Sequence, residues 1–471
     1  MLILSGNVSS TVIEDPPGAF AARYRALSVA MVALIILIAF EYLAVATAMP
    51  VVARELHGLA LYGLAFSGPL ATGVVATVLG GRWSDVKGPV APLWTGLAAF
   101  TAGLLIAGAA WSMDVLIAGR ALQGFGGGLF SVSIYVLVAR MYPATLHPRV
   151  FSLLAAAWVV PSMIGPPITG VLVDGPGWRW VFFGIPLFAV PAAILLWRGL
   201  LGQDMAEEER TDPGGEPRSL VARVSWALVA AAGAAALQYG GGLTGWGGPA
   251  LLAAGVALLA VALPRLLPKG TLRAARGLPT VVALRGLAAG AFFATEVFVP
   301  LMLVQERGLS PTQAGVALTG GALTWSLGSW IRGRRPGHRV LTLRLGTALI
   351  AAGVAVMALT VIHAVPVLVG FAAWAVSGLG IGLVYPTLSV LILKLSRPGE
   401  QGVNSSALQI GESIFSVVTI AVTGAMFVAL GSSSVAYPLC LAVMVVIALT
   451  GTAIAGRFEQ APATGTMGGE A

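Results

Sequence analysis

One cysteine, Cys440, stands in 471 residues, so no disulfide can close within the chain and cysteine usage gives no redox compartment. Charge is just as scarce. Asp, Glu, Lys and Arg together make 10% of the residues, against about 25% in ordinary soluble domains. With 57% hydrophobic residues, that shortfall excludes a globular domain with a solvated surface. The four histidines, His57, His147, His338 and His363, are scattered and offer no metal-ligand spacing. No G-x-x-x-x-G-K-[ST] loop is present to cradle nucleotide phosphates, which excludes an ATP motor. No polar segment is long enough for a catalytic domain, so neither an enzyme nor a cofactor or metal is expected. No cleavable signal is legible: the first apolar run begins near Ala26, behind a polar tail. The sequon Asn7-Val8-Ser9 falls in that tail and is read as chance.

What the chain does have is apolar runs of about 20 residues, the length that crosses a bilayer. Six occupy the first half, at 26–52, 60–80, 90–111, 114–140, 150–174 and 180–201. Two weaker ones follow at 222–242 and 247–267, and six more at 281–304, 312–331, 342–363, 366–394, 403–430 and 435–456. The expected fold is therefore an all-α membrane protein of fourteen transmembrane helices. Its divisions are a tail at 1–25, a first six-helix bundle at 26–201, a polar loop at 202–221, two linker helices at 222–267, a basic loop at 268–280, a second six-helix bundle at 281–456 and a tail at 457–471.

The net charge of +8 does not signal nucleic acid, because the basic residues sit in short loops between the runs. With both termini cytoplasmic, nearly all of them fall inside, and only Arg54, Arg179 and Arg307 fall outside. In this count Arg285 belongs with the inner loops, and Arg120 alone is left within a span. Dropping one linker helix would reverse the second half, so the two stand or fall together. Arginine outnumbers lysine, and alanine and glycine abound, a composition that suits a bacterial source.

The two sets of six read as a repeat. In "LQGFGGGLF" and "VSGLGIGLV", Gly124, Gly126 and Gly128 align with Gly378, Gly380 and Gly382. The first span of each set carries one acid followed by a proline: Glu41 then Pro50, and Glu296 then Pro300. Internal duplication about a central loop marks many secondary transporters, with the substrate site between the halves.

Four stretches carry more. "GGRWSDVKGP" follows the second span; "RALQG" lies in the fourth and puts Arg120, Gln123, Gly124 and Gly127 on one helical face. "PSMIGPPITG" lies in the fifth and "FEYLAVATAMP" in the first. The chain resembles the major facilitator superfamily, and within it the fourteen-spanner drug:proton antiporters. "GGRWSDVKGP" is similar to the signature G-x-x-x-D-R-x-G-R-K through Gly81, Asp85 and Gly88, with Lys87 keeping part of the charge; the resemblance implies a conformational latch of these four residues. "RALQG" resembles R-x-x-Q-G, and Gly124 and Gly127 on its face are expected to let a neighbouring helix approach closely. "PSMIGPPITG" resembles the antiporter signature G-x-x-x-G-P-x-x-G-G through Gly165, Pro166 and Gly170, with Pro161 and Thr169 in place of two glycines; it implies export rather than uptake. In "FEYLAVATAMP", Glu41 takes the place of the relatives' aspartate.

A carboxyl in a dry cavity holds its proton longer than one in water, as a proton carrier requires. Glu41, Glu296 and Glu412 are the candidate proton-coupling acids, with Arg120 as a fixed charge beside one of them. Glu412 lies on a polar stripe with Ser405, Gln409, Ser416 and Thr419, one face of a helix. Gln123, Phe292, Phe293, Tyr385, Gln409 and Ser416 are the candidate cavity residues. The function implied is a proton-coupled, multidrug-type antiporter of amphiphilic small molecules, cationic ones included. It would be a monomer in the cytoplasmic membrane, with protons, substrate and lipid as partners and no nucleic acid. Export of an endogenous metabolite or lipid, symport, and a non-transporting scaffold or sensor remain open on the sequence.

Overall fold

The structure of the protein, a computed structural model, describes residues 20–201, 217–243, 245–334, 338–396 and 401–459. All regular structure among the described residues is helical. In chain order the α-helices are α1 (Arg25–Glu55), α2 (Leu64–Lys87), α3 (Val90–Gly108), α4 (Met113–Met141), α5 (His147–Ala156), α6 (Val159–Asp174), α7 (Arg179–Leu200) and α8 (Pro217–Gly242). There follow α9 (Gly247–Leu266), α10 (Leu278–Arg307), α11 (Pro311–Arg334), α12 (Arg339–Leu359), α13 (Val367–Leu395), α14 (Gln401–Ala429) and α15 (Ala436–Ile454). Eleven described helices are long and apolar enough to cross a membrane. The 16-residue α6 is too short, and the Gly-, Thr- and Ser-bearing α11 is not among the eleven.

Local chemistry sets the ends. Ser112 caps α4 by accepting from the Val115 amide at 3.4 Å. Gly88 ends α2 at φ +82° and Gly308 follows α10 at φ +64°, a conformation L side chains resist. The run 150–174, expected as one span, is two helices with a break at Ala157 and Trp158. Pro161 explains it: its ring clashes with the carbonyl four residues back and it has no amide to donate. The polar loop expected at 202–221 is shorter, since α8 already starts at Pro217; residues 202–216 lie outside the described residues.

Helix α10 is buried over 89% of its apolar window and α9 over 17%, so α10 is central and α9 peripheral. In the first half α4 packs on α2 and α3, and α1 on α6 and α7. In the second half α13 packs on α11 and α12, α10 on α14 and α15, and α12 on α15. The hairpin of α8 and α9 leans on α2 and α14 through Ala71, Ala234, Leu237, Val417, Ala421 and Ala425. The halves meet where α6 touches α11, α2 touches α14 and α1 touches α10.

The aligned glycines do the same work in each half. Apolar side chains gain little by leaving lipid for each other, so close backbone approach through small residues holds such helices together. A Cβ on Gly126 would overlap the Phe100 amide nitrogen of α3, and one on Gly380 would lie 2.5 Å from the Gly346 carbonyl oxygen of α12. Their neighbours face the other way: Gly124 and Gly128 press on Pro69 and Gly73 of α2, Gly378 and Gly382 on Gly321 and Trp325 of α11. The repeat is therefore geometric as well as textual. Gly127, expected on the tight face, is not: a Cβ there would meet only the Phe100 ring at 3.7 Å. Gly81 lies within α2 with open space around it rather than in a turn.

Candidate functional site

Three carboxylates sit inside the helical array, each in a different electrostatic setting. Glu41 of α1 and Arg120 of α4 are 3% and 4% exposed and form an ion pair. The Arg120 Nη1 donates to Glu41 Oε1 and to Gln123 Oε1, and its Nε donates to the Ala65 carbonyl at 3.3 Å. Gln123, one helical turn on from Arg120, donates from Nε2 to Glu41 Oε2 at 2.8 Å. Both carboxylate oxygens are thus engaged. Charge-assisted bonds of this kind are shorter and stronger than neutral ones, and they offset the large cost of burying two ions. This cluster is what keeps an arginine inside the fourth span.

The next residue of α1 points elsewhere, because successive helical residues turn by about 100°. Tyr42 reaches α10, where its hydroxyl donates to Glu296 Oε2 at 3.0 Å. The Tyr42 ring stands edge-on to Phe293, with centroids 6.0 Å apart. Glu296 is 6% exposed.

The third carboxylate, Glu412 of α14, accepts from Arg285 Nε of α10 at 2.7 Å and from the Tyr385 hydroxyl of α13 at 3.0 Å. The Arg285 guanidinium lies over the Tyr385 ring, 3.4 Å from its centroid. Arg285 is therefore not a loop residue, as the charge count implies, but a helical one whose side chain is 12% exposed, and Arg120 is not the sole arginine within a span. The place of Arg285 inside the 281–304 run is a signal that outweighs the count. Tyr42 is a further site residue that the sequence does not single out; a polar-tipped side chain beside a buried acid reads as a core aromatic.

The remaining candidates divide. Gln123 completes the Glu41 cluster. Phe292 stacks on Trp374, centroids 4.6 Å apart, within the core. Phe293 is half-buried beside Tyr42, and Gln409 is exposed. Ser416 is buried and donates to the Glu412 carbonyl of its own helix at 2.8 Å. The antiporter-like stretch packs across the halves: Gly170 meets Thr312 and Pro166 meets Gly315, both of α11, while Gly165 faces Phe40 of α1. Of the latch residues, Lys87 is exposed and Gly88 makes the turn. The Asp85 side chain lies outside the described residues; Arg140 of α4 binds the adjacent Ser84 carbonyl at 3.1 Å.

Contacts between the halves concentrate away from the basic loops. Tyr62 donates to the Val297 carbonyl at 3.0 Å, and Thr312 donates to Asp174 Oδ2 at 2.6 Å. At the opposite, basic end lies a cavity of about 1020 Å³, lined by Arg332, Arg339, Thr387, Val390 and Lys394 among others. No cluster of three His, Cys, Asp or Glu residues suited to a metal occurs among the described residues.

Residues 30–420 match the family model described as Major Facilitator Superfamily. A multidrug transporter protein of Bacillus subtilis (strain 168) is 27% identical over 398 residues, 81% of this chain and 71% of that protein. A probable multidrug-efflux transporter of Mycobacterium tuberculosis is 27% identical over 416 residues, 83% of this chain and 85% of that protein. Among solved structures, a POT family transporter in complex with a thioalcohol-conjugated peptide superposes with a TM-score of 0.66 at 16% identity, over 94% of this chain and 99% of that one. The human organic anion transporter MFSD10 superposes with a TM-score of 0.60 at 14% identity, over 91% and 99% of the two chains. At these identities the two structures share the fold.

Proposed function

The chain belongs to the Major Facilitator Superfamily, and from that membership we propose that it is a proton-coupled exporter of amphiphilic small molecules in a bacterial cytoplasmic membrane. The observation that carries the reading is the set of three carboxylates, Glu41, Glu296 and Glu412, held inside apolar helices between or beside the halves. Ionisable groups at such depth are expensive, and their usual use is ion or proton movement. The efflux proteins similar to this chain favour export over uptake.

In this reading α1–α7 and α10–α15 are two bundles of six crossings each, α5 and α6 together making one, and α8 and α9 are the two linker crossings. Both termini are cytoplasmic. The Tyr62 and Thr312 contacts are assigned to the outer side, where they would hold the bundles together, and rocking of the bundles exposes the carboxylates to each side in turn. The polar stripe of α14 and the residues Phe293 and Tyr385 form part of the wall met by substrate.

Purified protein in liposomes, loaded with a fluorescent amphiphile, is expected to expel it only when a proton gradient of the right sign is imposed. Efflux that ignores the gradient, or accumulation in place of efflux, would sink the assignment. The end of α2 and the turn at Gly88 are assigned a gating role, so Asp85→Asn is expected to slow turnover several-fold at unchanged substrate affinity. A loss of affinity at unchanged turnover would place Asp85 in the binding site instead.

A further inference from the structure

We propose that the α8–α9 hairpin is carried by the second half as the bundles rock, and that the hydrogen bond from Tyr239 to Asp114 is the clasp it must release before the outer side opens. This rests on the exporter reading and gives its two linker crossings a place in the cycle. Gln238 and Tyr239, neighbours near the end of α8, are the positioning residues. Neither belongs to the carboxylate clusters.

The attachment to α14 is polar, buried and close. Gln238 is fully buried and donates from Nε2 to the Ile420 and Ala421 carbonyls of α14, at 3.1 and 2.9 Å. A carbonyl oxygen has two lone pairs, so each can accept from the side chain as well as within its own helix. Among apolar helices, where the local dielectric is low, such bonds are stronger than at a wet surface. Three residues on, the backbones themselves meet: a Cβ on Gly241 would lie 2.7 Å from the Ala425 carbonyl oxygen. One on Gly424 would overlap the Gln238 amide. Helix α8 is thus locked to α14 by shape as well as by bonds.

The attachment to the first half is of another kind. The Gln238 amide touches Gly63, before α2, but its Oε1 has no partner among the described residues. Further along, Val74 and Val75 of α2 cluster with Ala227 of α8. Apolar side chains gain little by leaving lipid for one another, so a contact of this sort slides at small cost. What ties α8 to the first half by a polar bond is Tyr239, whose hydroxyl donates to Asp114 Oδ1 in the first turn of α4 at 3.1 Å. Both residues are exposed, and a bond open to water is replaced by bonds to water at little net loss.

Opening the outer side draws the outer end of α4 away from that of α14. Helix α8 cannot follow both. It parts where the tie is a solvated hydrogen bond and a sliding apolar contact, and stays where a buried amide and a backbone approach hold it.

Double electron–electron resonance on the full chain in nanodiscs tests this. Nitroxides are placed two at a time on Trp111→Cys, Trp246→Cys and Val435→Cys in a Cys440→Ala background. The three labelled residues are exposed and stand just before α4, α9 and α15, in the first half, the hairpin and the second half. Between acid and alkaline pH, the Trp111–Val435 distribution is expected to gain a long component as the outer side opens. Trp111–Trp246 should gain the same component in the same proportion, while Trp246–Val435 stays single and narrow. Tyr239→Phe removes only the clasp and should enrich the long component by up to about fivefold. Gln238→Leu should instead broaden Trp246–Val435. The Tyr239 substitution is at the surface, so the test stands even if Gln238→Leu fails to fold. A Trp246–Val435 distance that lengthens together with Trp111–Val435 overturns the proposal, and so does a Tyr239→Phe protein that matches the wild type. A Trp111–Val435 distance that never lengthens would sink the rocking itself, and the proposal with it.

Discussion

Arg120→Ala is expected to destabilise the folded protein by about 3–5 kcal/mol and to abolish transport. The substitution strands Glu41, 3% exposed, with one amide donor from Gln123 in place of a guanidinium that also tied α4 to the Ala65 carbonyl. Glu41→Gln alone strands the arginine instead and should cost a similar amount. Changing both, as Arg120→Met with Glu41→Gln, removes the pair without leaving a buried ion, and most of the lost stability should return. Arg120→Lys keeps the charge but not the planar fork that serves Glu41 and Gln123 together, so it should fall between. Thermal unfolding in detergent orders the four variants. A double variant no more stable than the singles would show that the cluster is not held by charge compensation.

Gly126→Ala should disrupt the first half while Gly127→Ala, one residue on, should not. The methyl at 126 would overlap the Phe100 amide nitrogen and sit 2.5 Å from the Gly96 carbonyl oxygen. Both are backbone atoms, and α3 can yield only by moving as a body. Overpacking of this kind costs about 1–3 kcal/mol and sometimes more. At 127 the nearest atom is a ring carbon at 3.7 Å, an ordinary contact, and alanine gains about 0.5–1 kcal/mol over glycine in a helix interior. Gly380→Ala should behave as Gly126→Ala does. Yield of monodisperse protein and its unfolding temperature read both effects, and a Gly126→Ala protein as stable as wild type would mean that α3 and α4 are not held by this contact.

Much of the architecture is legible in the amino-acid sequence. The helices follow from apolar length, and the repeat from the glycine register. The three acids stand out because a charge in an apolar run is rare. Pairing is what the sequence hides. A positive-inside count treats every arginine near a span end alike and so places Arg285 in a loop, whereas only a three-dimensional arrangement shows that it faces Glu412. Tyr42 is hidden for a related reason, since nothing in its neighbours says that α10 lies against that face of α1. Helical-face reasoning puts Gly127 at the tight contact. Two partners, α2 and α3, embrace α4 from different sides, so the tight positions alternate at 124, 126 and 128 instead.

The hairpin of α8 and α9 makes the molecule lopsided toward its surroundings. Gln238 of α8 donates to the Ile420 and Ala421 carbonyls of α14, and the neighbouring Tyr239 donates to Asp114 of α4. Helix α8 therefore covers the seam between α2 and α14 and is fastened to both halves. Across the molecule, the seam between α6 and α11 has no such cover among the described helices, and Met163, Ile164 and Ile168 of α6 stand exposed beside it. For a solute dissolved in the bilayer the two flanks are not equivalent: one is walled off, and the other presents bare, proline-bent helix to the lipid.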